Sequence, residues 1–224
     1  MGRMNASDAE DLDECFPRAT TRGLPLSELF AGGKYFARLD TCSLKDAADG
    51  GRGAVTSVEQ LWTRLATSAR ACQGIRSLRA LDEDVAVYVY LFPWNEGMKT
   101  SLEYRVFCPP DRGRIAAVSQ YRWHEPWVHA EKGVEEQRDI AERVWRGAEE
   151  IYGRLMASDS MTESMRRKEG FTFDVCEDGK GGVMLIELND FGAMSGCGSC
   201  LYHWIRDARV LYGLEEKVEF RIAV

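Results

Sequence analysis

The segment from Phe171 to Gly192 constrains the fold more than any other part of the sequence. It contains two short runs with β character, FTFDV and VMLIEL, on either side of EDGKGG. Asp-Gly and Gly-Gly pairs are typical of tight hairpin turns, which need residues that tolerate positive φ angles. The segment therefore predicts an antiparallel β-hairpin.

Oxygen-bearing side chains are expected to gather at one end of this hairpin. Side chains alternate between the two faces of a strand, so Asp174 lies on the face opposite Phe173, while Glu187 and Asn189 share a face. Two carboxylates and an amide oxygen are ligands that suit Mg²⁺, which usually binds through one or two carboxylates plus water and substrate phosphates. The pattern predicts a Mg-nucleotide site, although the same residues also occur on ordinary solvated sheet faces.

Length and composition favour one globular unit with two lobes. The chain has 224 residues, of which 45% are hydrophobic and 29% charged, as in folded proteins that bury a sizeable core. The net charge of −7 gives no broad electrostatic footprint for nucleic acid. The sequence MGRMNASDAEDLDE lacks the apolar region of a signal peptide, and no segment has the roughly 20 apolar residues that span a bilayer. We therefore expect a cytoplasmic protein with no membrane association.

Cysteine usage agrees with a reducing compartment. The seven cysteines are an odd, scattered number and do not form a secreted disulfide framework. Cys197 and Cys200 are the one spaced pair, but zinc would need two further ligands and a redox motif would be expected near a βαβ unit. The favoured interpretation is two free thiols in a loop.

The first part of the chain predicts a small β/α lobe. The run KYFARLDTCSLKDA indicates a strand that carries Arg38, with Lys45 in the following loop; both are surface charges unless a ligand uses them. Ser57 and Gln60 form a capping box at the start of SVEQLWTRLATSARAC, which predicts one amphipathic helix. The apolar run DVAVYVYLFPW, at 84–94, predicts a buried strand. Its backbone can face a flat ligand such as adenine, or it is simply a core strand.

A second hairpin is predicted over 102–123, with PPDRG at its turn. Its first strand carries Arg105, and an arginine inside a sheet needs an anionic partner because burying an unpaired charge is costly. Glu103 or Asp174 could be that partner in a structural ion pair, or a bound phosphate could be, since Arg suits bidentate phosphate binding. The sequence pattern leaves these three alternatives open.

The remaining elements complete an α+β fold. A long helix is predicted at 134–157, with a buried stripe of apolar residues, and it should cover the central sheet. A final helix at 201–213 and a last strand at 218–224 follow. The order gives a tail at 1–33, a small lobe with a hinge strand at 34–92, and a large lobe at 93–224 built on an antiparallel sheet backed by helices. Glycine motifs of the P-loop or Rossmann type are absent from the sequence.

Three blocks of the sequence resemble the cell division cycle protein 123 family, an atypical ATP-grasp group. The blocks are YFARLDTCSLKDA, LEYRVFCPPDRGRIAAVSQYRW and FTFDVCEDGKGGVMLIELNDFG, and the resemblance runs in order from about residue 34 to Trp204. It implies an ATP-grasp fold in which ATP and Mg²⁺ lie between the two lobes. Family members that act in translation factor assembly are longer, so this chain resembles a short member.

The resemblance also implies roles for individual residues. Asp174, Glu187 and Asn189 match the metal-binding positions, and Arg105 matches a catalytic arginine that faces the phosphates. The remaining residues assigned to the nucleotide are Arg38, Lys45, Val89, Tyr90 and Leu91, the last three where the hinge strand meets adenine. Arg38 stands where the family tends to have Lys, and Glu187 where it often has Asp.

Three hypotheses for the function follow. The first is an ATP-dependent assembly factor that holds a subunit of translation initiation factor 2. The second is an ATP-grasp enzyme, either a carboxylate–amine ligase with a small-molecule acceptor or an RNA ligase, in which Arg105 and the metal stabilise developing charge. The third is a structural domain that no longer binds nucleotide.

Overall fold

A computed structural model describes residue 28 and residues 30–51, 53–159 and 161–224. Most of the predicted tail at 1–33 therefore lies outside the described residues. The chain divides into two units, the first ending at Asn95 and the second running from Glu96 to Val224. Among the described residues, no helix is both long enough and apolar enough to cross a membrane.

The first unit is a two-stranded sheet packed against two helices. Its elements are β1 (Tyr35–Leu39), α1 (Val58–Thr67), α2 (Ala69–Leu81) and β2 (Val89–Pro93). β1 and β2 pair in antiparallel fashion, with Ala37 opposite Leu91. Ala37 and Leu39 are buried in a core that includes Leu61 and Leu65 of α1. The predicted β/α character of this region is therefore present.

The helical segment is broken where one helix was predicted. Ser57 caps α1 as expected, since its hydroxyl accepts a hydrogen bond from the Gln60 amide at 3.2 Å. The helix ends at Ser68, whose hydroxyl accepts from the Ala71 amide at 3.0 Å and donates to Asp46 at 2.6 Å. The prediction of one helix was wrong because this side chain is buried and starts a second helix, α2, by capping it.

The strand predicted to be buried at 84–94 is shorter and half exposed. β2 begins only at Val89, and Tyr90 and Phe92 on its outer face are 45% and 49% exposed. Their rings stack with centroids 6.4 Å apart. The apolar composition was misleading because a two-stranded sheet here has a core on one face only, so alternate aromatic residues face outward.

The second unit is a five-stranded sheet with a long helix on one face. Its regular elements are β3 (Glu103–Cys108), β4 (Ala117–Gln120), α3 (Val134–Ala157), β5 (Phe171–Glu177), β6 (Val183–Asp190), α4 (Ala208–Leu211) and β7 (Glu219–Arg221). A short 3₁₀ helix precedes β3 (Thr100–Leu102), and a π-helical turn precedes β5 (Met165–Glu169). The strand order is β6-β5-β3-β4-β7.

Two expectations about this unit need correction. β7 pairs with β4 in parallel, so the sheet is mixed and not wholly antiparallel. The predicted final helix at 201–213 is reduced to α4. Tyr202 lies before α4 and is not helical. Its side chain is buried, and its hydroxyl donates to the Glu219 carbonyl at 2.7 Å. This contact holds the segment before α4 against the last strand.

One face of the sheet is apolar and is covered by α3. The helix has the predicted bounds, and its stripe of Ile140, Val144, Ala148 and Ile151 is buried. This stripe belongs to the same core as Val106, Phe173 and Val175 of the sheet. The prediction that the longest helix covers the central sheet is confirmed.

A β-bulge interrupts the hairpin of β5 and β6. Asp174 pairs with Glu187, but the next pair is Val175 with Leu185, so the register skips Ile186. On the turn side of the bulge, Val183 lies so close to α3 that a β-carbon at Gly147 would come within 2.0 Å of its Cγ2. Beyond the bulge, Glu187 lies opposite Asp174 on the other face. The bulge therefore re-aims the β6 side chains at the point where the polar residues begin.

Candidate functional site

The central strands place Arg105 and Asp174 side by side on the face of the sheet away from α3. They are direct partners in the register of β3 and β5. The guanidinium donates two hydrogen bonds to the carboxylate, Nε to Oδ1 and Nη2 to Oδ2, each 2.8 Å long. Arg105 is 4% exposed and Asp174 is 1% exposed. Of the two protein partners considered for Arg105, the structure selects Asp174 over Glu103.

Two further groups hold the Arg105 side chain. Its Nη1 donates to the Gly198 carbonyl at 2.7 Å, and its guanidinium carbon lies 5.2 Å from the centre of the Tyr121 ring. Burial lowers the pKa of Arg105 and the hydrogen bonds to Asp174 raise it, with a net rise. Burial and the Asp174 charge raise the pKa of Tyr121 to about 12. The site therefore contains a charged guanidinium and a neutral phenol near neutral pH.

β6 brings two more oxygen-bearing side chains to this face. Glu187 is opposite Asp174 in the register, and Asn189 is opposite Thr172. Both are half-buried. The Asn189 amide nitrogen donates to Asp174 Oδ2 at 3.5 Å. The structure thus gathers Asp174, Glu187 and Asn189 at one place, and their role as metal ligands stays a prediction.

The donor set can be compared with what metal ions require. Across the described part of the chain, no three His, Cys, Asp or Glu side chains are grouped so that they could hold a metal ion. Two carboxylates and one amide lack the Cys and His ligands of which structural zinc sites are made. They do fit Mg²⁺, which fills its other positions with water and phosphate oxygens. Because both Asp174 oxygens already accept from Arg105, a cation here would share that carboxylate or replace Arg105 at it.

The other predicted nucleotide-binding residues lie in the first unit. Arg38 is opposite Tyr90 in the register, and its Nε donates to the Leu39 carbonyl at 3.2 Å. Lys45 is exposed in the segment after β1, and Val89 and Leu91 are half-buried on the core side of β2. The structure therefore places Arg38 opposite Tyr90 in the strand pair, and Lys45 in the segment that follows β1.

Sequence reasoning missed several residues that shape the site. Gly198, in the loop between Cys197 and Cys200, supplies a carbonyl to Arg105. Ser119, opposite Arg105 on β4, accepts a hydrogen bond from the Leu201 amide at 3.1 Å and so fixes the same segment. Tyr121 follows β4, and its ring contacts the guanidinium. Pairing register could have found Ser119, but no sequence signal marks a carbonyl as a ligand of Arg105.

Cys197 and Cys200 flank Gly198 in this segment. Both are free thiols, in agreement with the favoured interpretation. Burial raises the pKa of both thiols, that of Cys200 to about 12, although the nearby Arg105 charge opposes the shift. Protonated thiols are weak nucleophiles and weak metal ligands. The raised pKa values favour the protonated form of both thiols.

Comparison with solved structures identifies the architecture. Cdc123 from Schizosaccharomyces pombe superposes with a TM-score of 0.65 at 18% sequence identity, and the match covers 88% of this chain and 74% of that one. A C-terminally truncated form of Cdc123 from the same organism gives the same TM-score and coverage at 19% identity. No protein-family model and no curated protein sequence matches the chain.

The fold and the comparison with solved structures define the class of protein. The chain is a mixed α+β protein whose five-stranded sheet has an apolar face under a helix and a polar face that carries a buried ion pair. More particularly, it has a Cdc123-like fold. The resemblance that the three sequence blocks indicated is therefore confirmed at the level of the fold.

Proposed function

We propose that the chain binds Mg-ATP on the polar face of the five-stranded sheet and acts in the cytoplasm as an ATP-dependent assembly factor for translation initiation factor 2. The observation that carries the proposal is the buried pair of Arg105 and Asp174, bordered by Glu187 and Asn189. A buried ion pair contributes little net stability, because the desolvation of both charges offsets their attraction. A charged pair in the centre of the sheet is therefore weak evidence for a role in packing alone, and it supports a role in binding.

The chemistry of the pair suits a metal-bound triphosphate. Asp174 and Glu187, with the amide oxygen of Asn189, would hold Mg²⁺, which neutralises phosphate charge when bound. Arg105 has a planar fork of donors that matches phosphate oxygens. When Mg-ATP binds, Asp174 gains the cation as a partner and Arg105 gains a phosphate. Neither buried charge is then left unpaired, which makes the exchange of partners energetically feasible.

The sequence resemblance also assigns nucleotide contacts to residues of the first unit. Val89, Tyr90 and Leu91 are proposed to contact adenine through backbone groups and the Tyr90 ring. Arg38 and Lys45 are proposed to bind phosphates. The proposal is supported by the pairing of Arg38 with Tyr90 on an exposed face, since one strand pair then offers both a cation and an aromatic ring.

A ligase of the ATP-grasp type is the second candidate, favoured by a specific cavity. A cavity of about 440 Å³ lies in the segment that follows β6 and is lined by Ala193, Gly196, Cys197, Gly198, Ser199, His203, Trp204 and Ile205. Gly198 belongs both to this lining and to the contacts of Arg105. A carboxylate–amine or RNA ligase needs an acceptor beside the phosphates, and this cavity is proposed to hold a small acceptor or a nucleotide end. Arg105 would then stabilise charge that develops on the transferred group.

The test of Mg-ATP binding uses the full chain and a pair of matched variants. Glu187→Gln removes a carboxylate from the polar face, and Asp190→Asn removes one from an exposed position of the same strand. We expect Glu187→Gln to weaken Mg-ATP binding at least about tenfold in calorimetric titration, equal to about 1.4 kcal/mol. Asp190→Asn should bind like the parent. Equal binding by parent and Glu187→Gln would contradict the metal role of Glu187.

Two further measurements separate the candidate functions. Retention of a translation initiation factor 2 subunit only with Mg-ATP, without nucleotide turnover, supports the assembly factor. Conversion of ATP to ADP or AMP that depends on an added carboxylic acid and amine, or on RNA ends, supports a ligase. A parent chain whose melting temperature does not change with ATP and Mg²⁺ would exclude both, because a ligand that binds only the folded state must raise its stability.

A further inference from the structure

The Thr172 hydroxyl is a buried polar group without a partner. Thr172 on β5 is fully buried, and its Oγ1 makes no hydrogen bond to any described residue. Arg166 Nε is the other such side-chain atom, but the Arg166 guanidinium is held elsewhere through a hydrogen bond to the Ser158 carbonyl. Buried hydroxyls are nearly always hydrogen-bonded in folded proteins. A buried hydroxyl without a partner has lost its hydrogen bonds to water and gained none in return, which costs free energy. Thr172 therefore calls for an explanation.

Its neighbours on the polar face leave a single candidate partner across the strands. In the register, Thr172 is opposite Phe107 on β3 and Asn189 on β6. Directly opposed residues in an antiparallel pair have Cβ atoms about 4.5–5.5 Å apart, which brings their side chains into contact range. Phe107 offers only a ring, which packs against Tyr202 and Trp204. Asn189 carries both a donor and an acceptor.

The Asn189 amide is turned the wrong way to bind a cation. Its nitrogen, not its oxygen, faces Asp174 Oδ2, at 3.5 Å. A cation between the carboxylates would require the amide oxygen on that side, so the amide must rotate by half a turn about its terminal torsion. After that rotation the NH₂ group points away from Asp174 and needs a new acceptor. A side chain with an unused acceptor lies directly opposite, at Thr172.

We propose that Thr172 is a positioning residue of the metal site. In the cation-bound state its hydroxyl accepts a hydrogen bond from the Asn189 NH₂ group and keeps the amide oxygen on the metal. In the cation-free state the same hydroxyl is unpaired. The inference rests on the proposed Mg-ATP function and adds the residue that selects between two orientations of Asn189.

The proposal predicts effects of opposite sign in the two states. Thr172→Val replaces the hydroxyl by a methyl group of similar size, so it removes the unpaired group and should raise the melting temperature of the chain without ligand. The same change removes the hydrogen bond of the bound state and should weaken Mg²⁺ binding in the presence of saturating ATP by about 2- to 10-fold. Thr172→Ser keeps the hydroxyl and should keep the parental Mg²⁺ affinity.

The experiment is a titration of Mg²⁺ with ATP held constant, followed by calorimetry and by thermal melts of the parent and both variants. Weaker Mg²⁺ binding in Thr172→Val, parental binding in Thr172→Ser and a ligand-free Val variant at least as stable as the parent would support the proposal. Parental Mg²⁺ affinity in Thr172→Val would overturn it while leaving the Mg-ATP function intact. An equal loss of stability with and without ligand would also overturn it, as a purely structural role.

A parent chain that shows no Mg²⁺-dependent ATP binding would overturn the inference together with the function on which it rests. If Thr172→Val does not fold, Thr172→Ala takes its place in the comparison with Thr172→Ser. The small Ala side chain also lacks the hydroxyl, so the same difference in Mg²⁺ affinity is expected. Equal affinities for Ala and Ser would then count against the proposal.

Discussion

The two faces of the five-stranded sheet are built on opposite principles. The face under α3 is apolar, and residues such as Val106, Phe173 and Val175 are buried with the helix stripe in one core. On the other face, the buried residues of the same strands include Arg105, Asp174 and Thr172. Because alternate residues of a strand point to opposite faces, both environments come from the same short segments. One sheet thus combines an apolar face that forms the main core with a face on which a buried ion pair accompanies a smaller apolar cluster of Phe107, Ala117, Tyr202 and Leu211.

The energetic difference between the faces is considerable. Burial of a large aliphatic or aromatic side chain contributes about 1.5–3 kcal/mol. A buried ion pair often contributes nothing relative to apolar residues of the same volume, yet removal of one partner is strongly destabilising. Changes on the apolar face should therefore alter stability alone. Changes on the polar face should alter stability and binding together.

Asp174→Ala is expected to have the largest effect. It leaves the Arg105 charge buried without its carboxylate, which should lower the free energy of unfolding by about 3–5 kcal/mol in urea denaturation. The variant is therefore a poor test of binding alone. As the matched control, the double change Arg105→Met and Asp174→Leu should restore stability to the parental level or above while abolishing Mg-ATP binding. A single variant as stable as the parent would contradict the contrast between the faces.

Ile140→Val probes the apolar face with a smaller change. Loss of one buried methylene from the α3 stripe should lower the free energy of unfolding by about 0.5–1.5 kcal/mol. Mg-ATP affinity should equal that of the parent, because Ile140 belongs to the core on the side away from Arg105. A reduced affinity in calorimetry would contradict this expectation and would show that the two faces are coupled.

The smallest effect is expected at the margin of the polar face. Arg221, opposite Ser119 in the register, pairs with Asp207 at 2.8 Å and lies over the Tyr202 ring. The hydrogen bond from Arg221 lowers the pKa of Asp207 below its usual value of 3.8, despite the opposing effect of partial burial. The pair should therefore stabilise the fold above about pH 4 and lose this contribution as the pH falls through the lower folded-state pKa.

Asp207→Asn tests this dependence on pH. The variant should be less stable than the parent at neutral pH by less than about 1 kcal/mol, since partly exposed pairs are weak. In urea denaturation the difference should begin to shrink as the pH falls below about 4, where the unfolded chain takes up the proton, and should vanish once the pH is below the lower pKa of Asp207 in the folded parent. A difference that stays constant down to the acid limit would argue that the Asp207 charge has no part in stability.

Periodicity was sufficient to predict much of the second unit. The hairpins of β3–β4 and β5–β6 and the bounds of α3 follow from local patterns of apolar, polar and turn residues. The break at Ser68 and the exposure of Tyr90 did not, because both depend on what packs against the segment and not on the segment itself. The local pattern was thus sufficient to predict which elements form. Where a helix ends and how far a strand is buried depended on the surrounding structure.

The site shows the same division between local pattern and long-range contact. Residue type and alternation predicted that Asp174, Glu187 and Asn189 would gather on one face. The partner of Arg105 stayed undecided among three alternatives, because the choice depends on the register between β3 and β5, whose residues are far apart in sequence. The contacts of Gly198 and the unpaired hydroxyl of Thr172 could be recognised only from the structure.

The bulge at Ile186 limits the changes in length that β6 can tolerate. Odd-numbered residues of β6 point toward α3 before this residue and toward the opposite face after it. Val183 therefore contacts the helix, whereas Glu187 lies beside the ion pair. Deletion of one residue here would remove the bulge and shift the side chains of one part of β6 to the opposite face of the sheet. The Glu187 carboxylate would then point toward α3. Length at this point of the strand is therefore as strict a requirement as the identity of the acidic residues.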